Sequence, residues 1–81
     1  MINVLFFAQT RELVDCSSLV VDDEVDDVEQ LRVALMQRGK RWQLALSNGR
    51  LLAAVNQEIC AFSHPLKSGD EVAFFPPVTG G

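Results

Sequence analysis

Glu71-Val72-Ala73-Phe74-Phe75-Pro76-Pro77-Val78-Thr79-Gly80-Gly81 is one stretch with two opposed halves. From Glu71 to Phe75 the residues alternate, Val72 and Phe74 on one face, Ala73 and Phe75 on the other, as in a strand. The Pro76-Pro77 step gives up two backbone N–H donors and favours extended chain, so the sheet should end there. Beyond the prolines the chain finishes in two residues without side chains. A chain end is normally the least ordered part of a domain, and this one offers nothing to a core. Glycine instead lets a backbone be approached closely, which suits an arm that carries its α-carboxylate into a narrow slot. The expectation is a folded domain over residues 1–75 and a flexible, extended tail over 76–81.

Working outward from that strand, Ile2 to Ala8 also alternates: Ile2, Val4 and Phe6 on one face, Asn3, Leu5 and Phe7 on the other, with Asn3 marking the outer one. Gln9 to Val14 reads as a short polar connection or a helical turn. Ser18 to Val21 is β-branched enough to pair with the first strand. The main helix comes after an acidic turn, with Asp26 and Glu29 as its capping box and Val28, Leu31, Ala34, Leu35 and Arg38 at helical spacing. Gly39 is placed for a left-handed C-terminal cap. Lys40 to Leu46, which includes Trp42, reads as a shorter second helix, although Leu44 and Leu46 also suit a strand. Asn48-Gly49 marks a turn, Leu51 to Val55 a strand, Asn56-Gln57-Glu58 a polar turn and Ile59 to Phe62 a short strand; Ser68-Gly69-Asp70 turns the chain into the last strand. The class is α+β: a sheet with one main helix across a single face. Its expected core is Ile2, Val4, Phe6, Val20, Leu31, Leu35, Val72 and Phe74.

Composition excludes more than it selects. A chain of 81 residues makes one small domain, and its 48% hydrophobic content supplies a core. No apolar run is long enough for a membrane span, and Met1-Ile2-Asn3-Val4 lacks the basic region of a signal peptide, so the expected location is the cytoplasm, with no membrane partner. Eleven acids against seven bases give a net charge of −4, which argues against nucleic acid. Asp22 to Glu29 holds the main acidic cluster, a solvated turn and first helical turn. Cys16 and Cys60 lack metal or redox spacing and read as buried thiols. No metal site is legible, and His64, before Pro65 in a turn, has no nucleophile at a recognisable spacing. The remaining reactive group is the C-terminal carboxylate. Ionised at neutral pH, it must be activated to react, most simply as an acyl adenylate formed on a partner that binds ATP and Mg²⁺.

Strand-strand-helix-strand-strand ending in Gly-Gly resembles the ubiquitin-like β-grasp family, a mixed sheet whose first and last strands lie side by side and parallel. Within it, Val4-Leu5-Phe6-Phe7-Ala8-Gln9 with Arg11-Glu12-Leu13, Ala54-Val55-Asn56-Gln57, and Pro65-Leu66 with Gly69 to Gly81 resemble the small, sulfur-carrying subunits of molybdopterin synthases. Asp15-Cys16 departs from that pattern, since relatives often carry a glycine there. The resemblance implies that Gly81 is adenylated, converted to a thiocarboxylate and inserted, behind the slim Gly80, into a larger synthase subunit. There it donates sulfur to a cyclic pyranopterin phosphate, building the molybdopterin dithiolene of the molybdenum cofactor. It further implies an adenylyltransferase related to ubiquitin-activating enzymes, a desulfurase or rhodanese-like sulfur donor, no cofactor held by this chain and no independent catalysis. Neighbouring first and last strands would set Phe7 and Phe75 on one exposed face, continued by Pro76, Pro77, Val78 and Thr79, as the partner-binding surface. Two other readings share the fold: the sulfur carrier of thiamine biosynthesis, usually shorter and without the Phe-Phe-Pro-Pro-Val lead-in, and a ubiquitin-like protein modifier.

Overall fold

In the computed structural model, residues 1–47 and 49–77 are described. The elements are β1 (Ile2–Phe6), α1 (Ala8–Val14), β2 (Ser18–Val21), α2 (Val28–Met36), α3 (Lys40–Leu46), β3 (Leu52–Val55), β4 (Glu58–Cys60) and β5 (Glu71–Phe75). The strands form one mixed sheet in the order β2-β1-β5-β3-β4. At its centre β1 runs parallel to β5, from Asn3 opposite Glu71 to Phe6 opposite Phe74. The expected adjacency of first and last strands is present.

Alternation sends Ile2, Val4, Phe6, Val72 and Phe74 to the face that the helices cover, where all five are buried. Val28, Leu31 and Leu35 of α2 pack into the same core, joined by Val14 of α1 and Ala45 and Leu46 of α3. The Phe6 ring stacks at 6.3 Å on Phe74 and meets Trp42 edge-on at 5.5 Å. Arg32 ties α2 to α3: its guanidinium donates to the Leu46 carbonyl at 2.7 Å and to Glu29 at 2.6 and 2.8 Å. These hydrogen bonds hold the Glu29 carboxyl below its usual range.

Several expectations need correction. Val20 is not core: it lies opposite Asn3, 55% exposed, while Leu19 and Val21 oppose Val4 and Ile2 on the buried face. The N-cap of α2 is Asp27, whose carboxylate accepts from the Gln30 N–H, while the Gln30 side-chain carbonyl accepts from Asp26 N–H. The cap is therefore Asp27 rather than Asp26, and Gln30 rather than Glu29 returns a side-chain bond, to the residue before the cap. Gly39 does not cap α2 but opens α3. The segment after β1 is a full helix, α1, and Phe62 lies beyond β4 in a turn, its ring edge-on to Phe74. Cys16 and Cys60 are free but only half-buried, and burial pushes the Cys60 thiol up. Lys40–Leu46 is a helix, and Asp15, where relatives often carry glycine, closes α1 with φ 55°, the left-handed cap that glycine favours.

The hairpin turn between β3 and β4, with positive φ at Asn56 and Gln57, is anchored to the start of β5. Asn56 donates to Asp70 Oδ1 at 3.1 Å and accepts from Glu71 N–H at 3.1 Å, while Asp70 Oδ2 accepts from Lys67 N–H at 2.9 Å. The Lys67 amide first, then Asn56, hold the Asp70 carboxyl below its ordinary value. A depressed folded pKa means that this stabilisation is full above the unfolded value of about 3.9 and is lost as pH falls through the folded one. Asp70→Ala should cost roughly 1 kcal/mol near neutrality. In urea titrations the gap from wild type should narrow as the pH is lowered below about 4. A gap independent of pH would show that the carboxylate charge contributes nothing.

Candidate functional site

Among the described residues, no helix covers the sheet's second face. Leu5, Phe7, Ala54, Ala73, Phe75 and Ile59 line a groove of about 520 Å³ there, with Pro76 at its edge. Register explains the assembly. Leu5 opposes Ala73, Ala73 opposes Ala54, and Ala54 opposes Ile59, so one outward row crosses four strands. Phe7 is 47% exposed and Ile59 71%, a large apolar share for a surface, and such patches mark interaction sites. The Phe7 N–H donates to the Phe74 carbonyl at 3.3 Å, which pins the ring's backbone to β5, and Ala8 then turns the chain with φ 54°.

Phe7 and Phe75 thus meet on one open face, as alternation predicts, and Pro76 leaves β5 from the rim of their groove. Pro77 comes next, half-buried. Val78, Thr79, Gly80 and Gly81 lie outside the described residues. Leu5, Ala54 and Ile59 join the site without being expected there. The signal for Leu5 is the β1 alternation that sets it on the outer face with Phe7; for Ala54 and Ile59 it is the two-residue Asn56-Gln57 turn, which fixes the β3–β4 register. His64 is an exposed turn residue whose carbonyl accepts from Val28 N–H. Among the described residues no cluster of His, Cys, Asp or Glu is arranged to hold a metal ion, and no helix is long and apolar enough to cross a membrane. The groove offers mainly apolar contact, with Gln57 and Glu71 as the polar residues of its lining.

A mixed five-stranded sheet with parallel central strands and helices packed on one face defines a ubiquitin-like β-grasp protein. The chain belongs to the ThiS family, which matches residues 4–81. It is 58% identical to the molybdopterin synthase sulfur carrier subunit of Escherichia coli (strain K12), over 100% of both chains. It is 51% identical, again over 100% of both, to the protein of the same name from Haemophilus influenzae (strain ATCC 51907 / DSM 11121 / KW20 / Rd). Among solved structures it resembles a chain of the complex of subunits 1 and 2 of molybdopterin-converting factor from Helicobacter pylori 26695, with TM-score 0.69, 27% identity and coverage of 99% of this chain and 97% of that one.

Proposed function

We propose that this protein is the sulfur carrier subunit of a molybdopterin synthase, acting in the cytoplasm through its C-terminal tail. The observation that carries the reading is the coincidence of two features: an open apolar groove beside the point where the arm leaves β5, and end-to-end similarity to named sulfur carrier subunits. The chain supplies a docking face and a carried reagent, and its partners supply the catalysis. An adenylyltransferase that holds ATP and Mg²⁺ joins AMP to the Gly81 carboxylate, releasing pyrophosphate. The terminal sulfur of a persulfide on a desulfurase or rhodanese-like donor then attacks the acyl carbon and displaces AMP, and a thiol reductant cleaves the resulting acyl disulfide, leaving a thiocarboxylate at Gly81 and a disulfide on the donor side. The large synthase subunit takes the tail, and the sulfur passes to the cyclic pyranopterin phosphate. Gly80 adds no side chain to the arm, and the Pro76-Pro77 step favours an extended lead-in to it.

The direct test is intact mass measurement after incubation with the activating enzyme, ATP and a sulfur source. A gain corresponding to oxygen replaced by sulfur at Gly81 is expected; isopeptide conjugates to lysine without that gain would identify a modifier instead. The groove makes its own prediction. Phe7→Ala should weaken binding to the large subunit by about 30-fold, corresponding to a hot-spot loss of about 2 kcal/mol. Because Phe7 is already half in solvent, the same change should cost under about 1 kcal/mol in urea denaturation. Unfolding with partner affinity intact would place the ring in the core.

A further inference from the structure

Most of this chain's acids lie at one end of the sheet, with Lys67 among them. Parallel β1 and β5 both start at one end, and the acidic loop Asp22–Asp27 leaves β2 at that same end, since Val21 opposes Ile2. Asp70, Glu71 and Glu58 lie there too, at the Asn56-Gln57 hairpin. Four bases lie toward the other end, where Pro76 leaves β5, with Glu12 and Asp15 of α1 the acids nearest them in sequence. Arg11 lies one turn into α1, its N–H donating to the Phe7 carbonyl. The Arg38 guanidinium sits 4.9 Å over the Trp42 ring, which itself abuts Phe6, the last residue of β1. Lys40 and Arg41 immediately precede that tryptophan in the chain, and all four bases are exposed.

Lys40 and Arg41 also break a local rule. They occupy the first turn of α3, which contains no acid, and cations at a helix N-terminus oppose the helix dipole. Positions that act against local stability are where function is expected. The geometry points to Arg38, Lys40 and Arg41, with Arg11, as a basic collar that docks against acidic side chains rimming the channel mouth of the large synthase subunit. This rests on the carrier reading. A site built to receive a carboxylate arm needs positive charge in its depth, and that field alone would draw in the acidic end of this chain. A carboxylate rim facing the collar turns the molecule arm-first, and complementary charge of this kind acts mainly on the association rate.

The experiment is stopped-flow association of the full chain with the large subunit across ionic strength. Lys40→Glu/Arg41→Glu should lower kon about tenfold at low salt and flatten its salt dependence. Acids in a first helical turn favour the dipole, so this variant should fold at least as well as wild type. Lys40→Gln/Arg41→Gln should give a smaller loss, about threefold, and Asp22→Asn/Asp23→Asn should leave kon within about twofold. If wild type binds and the reversed variant associates equally fast, the collar proposal is overturned while the carrier reading stands. If wild type does not bind the large subunit at all, the carrier reading fails and takes the collar with it. If kon is unchanged but wild type, unlike the reversed variant, binds a short RNA duplex, the collar serves a polyanion and the proposal is equally overturned.

Discussion

Leu31→Ala is expected to destabilise the fold by about 3–5 kcal/mol, because the leucine is fully buried and its removal leaves a cavity the sheet cannot fill. Leu31 lies in the first turn of α2, on the stripe with Val28 and Leu35, facing a sheet layer whose Val4, Val72 and Phe74 are themselves without solvent contact. Chains of this size have net stabilities of about 5–10 kcal/mol, so the loss takes a large share of the total. Val33→Ala, on the same helix but 44% exposed, is the control and should stay within about 0.5 kcal/mol. Urea midpoints of the two variants separate the cases. A loss at Leu31 below about 1 kcal/mol would mean that α2 does not press this face into the sheet.

The residues alone reveal what rests on period. β1 and β5 alternate cleanly, so Phe6 and Phe74 are legible as core and Phe7 and Phe75 as outward. In β2 the residues Leu19, Val20 and Val21 are all apolar, so alternation gives no phase; only the antiparallel register with β1, Ile2 opposite Val21, decides that Val20 faces solvent. Asp26 and Asp27 are chemically equal candidates for the cap. The choice of Asp27 is made by tertiary contacts at the helix start: Val28 and Glu29 N–H donate to the His64 and Phe62 carbonyls, and Leu66 N–H to Asp26. α1 is not legible as a full helix because Gln9 to Glu12 is polar throughout, and its burial of Thr10 and Val14 depends on packing by α3, far away in sequence.

The site divides the same way. The paired phenylalanines come from alternation plus the parallel β1–β5 neighbourhood, whereas Ile59 reaches the groove only through β4 and its hairpin register. Ala54 shows why packing outranks pattern: it faces the outer side, opposite Ala73 and Ile59, yet is 7% exposed. No side chain announces the proposed chemistry, because the reactive group proposed for it is a backbone carboxylate.

That carboxylate gives the largest expected effect. Removing Gly81, or adding one residue after it, should abolish thiocarboxylate formation and sulfur transfer while leaving thermal stability within error. One residue more or less changes the reach of the chain end by up to about 3.5 Å. Reaction requires the acyl carbon at near-attack distance first from ATP and later from the pterin, and misplacement by about 1 Å can already cost on the order of a hundredfold in rate. Alanine at position 80 or 81 is a gentler probe: it keeps the reach but adds a Cβ where partner walls approach the backbone and restricts conformations glycine adopts freely. It should reduce turnover without preventing docking, since the Phe7 and Phe75 groove is untouched. Binding of the truncated chain to the large subunit, measured beside product formation, separates the two roles of the molecule, and near-normal affinity with no product is the expected pair of results. A synthetic thiocarboxylate installed at Gly81 should then support product formation without ATP or the activating enzyme. Molybdopterin formed by the chain lacking Gly81 would refute the assignment of Gly81 as the sulfur-bearing residue.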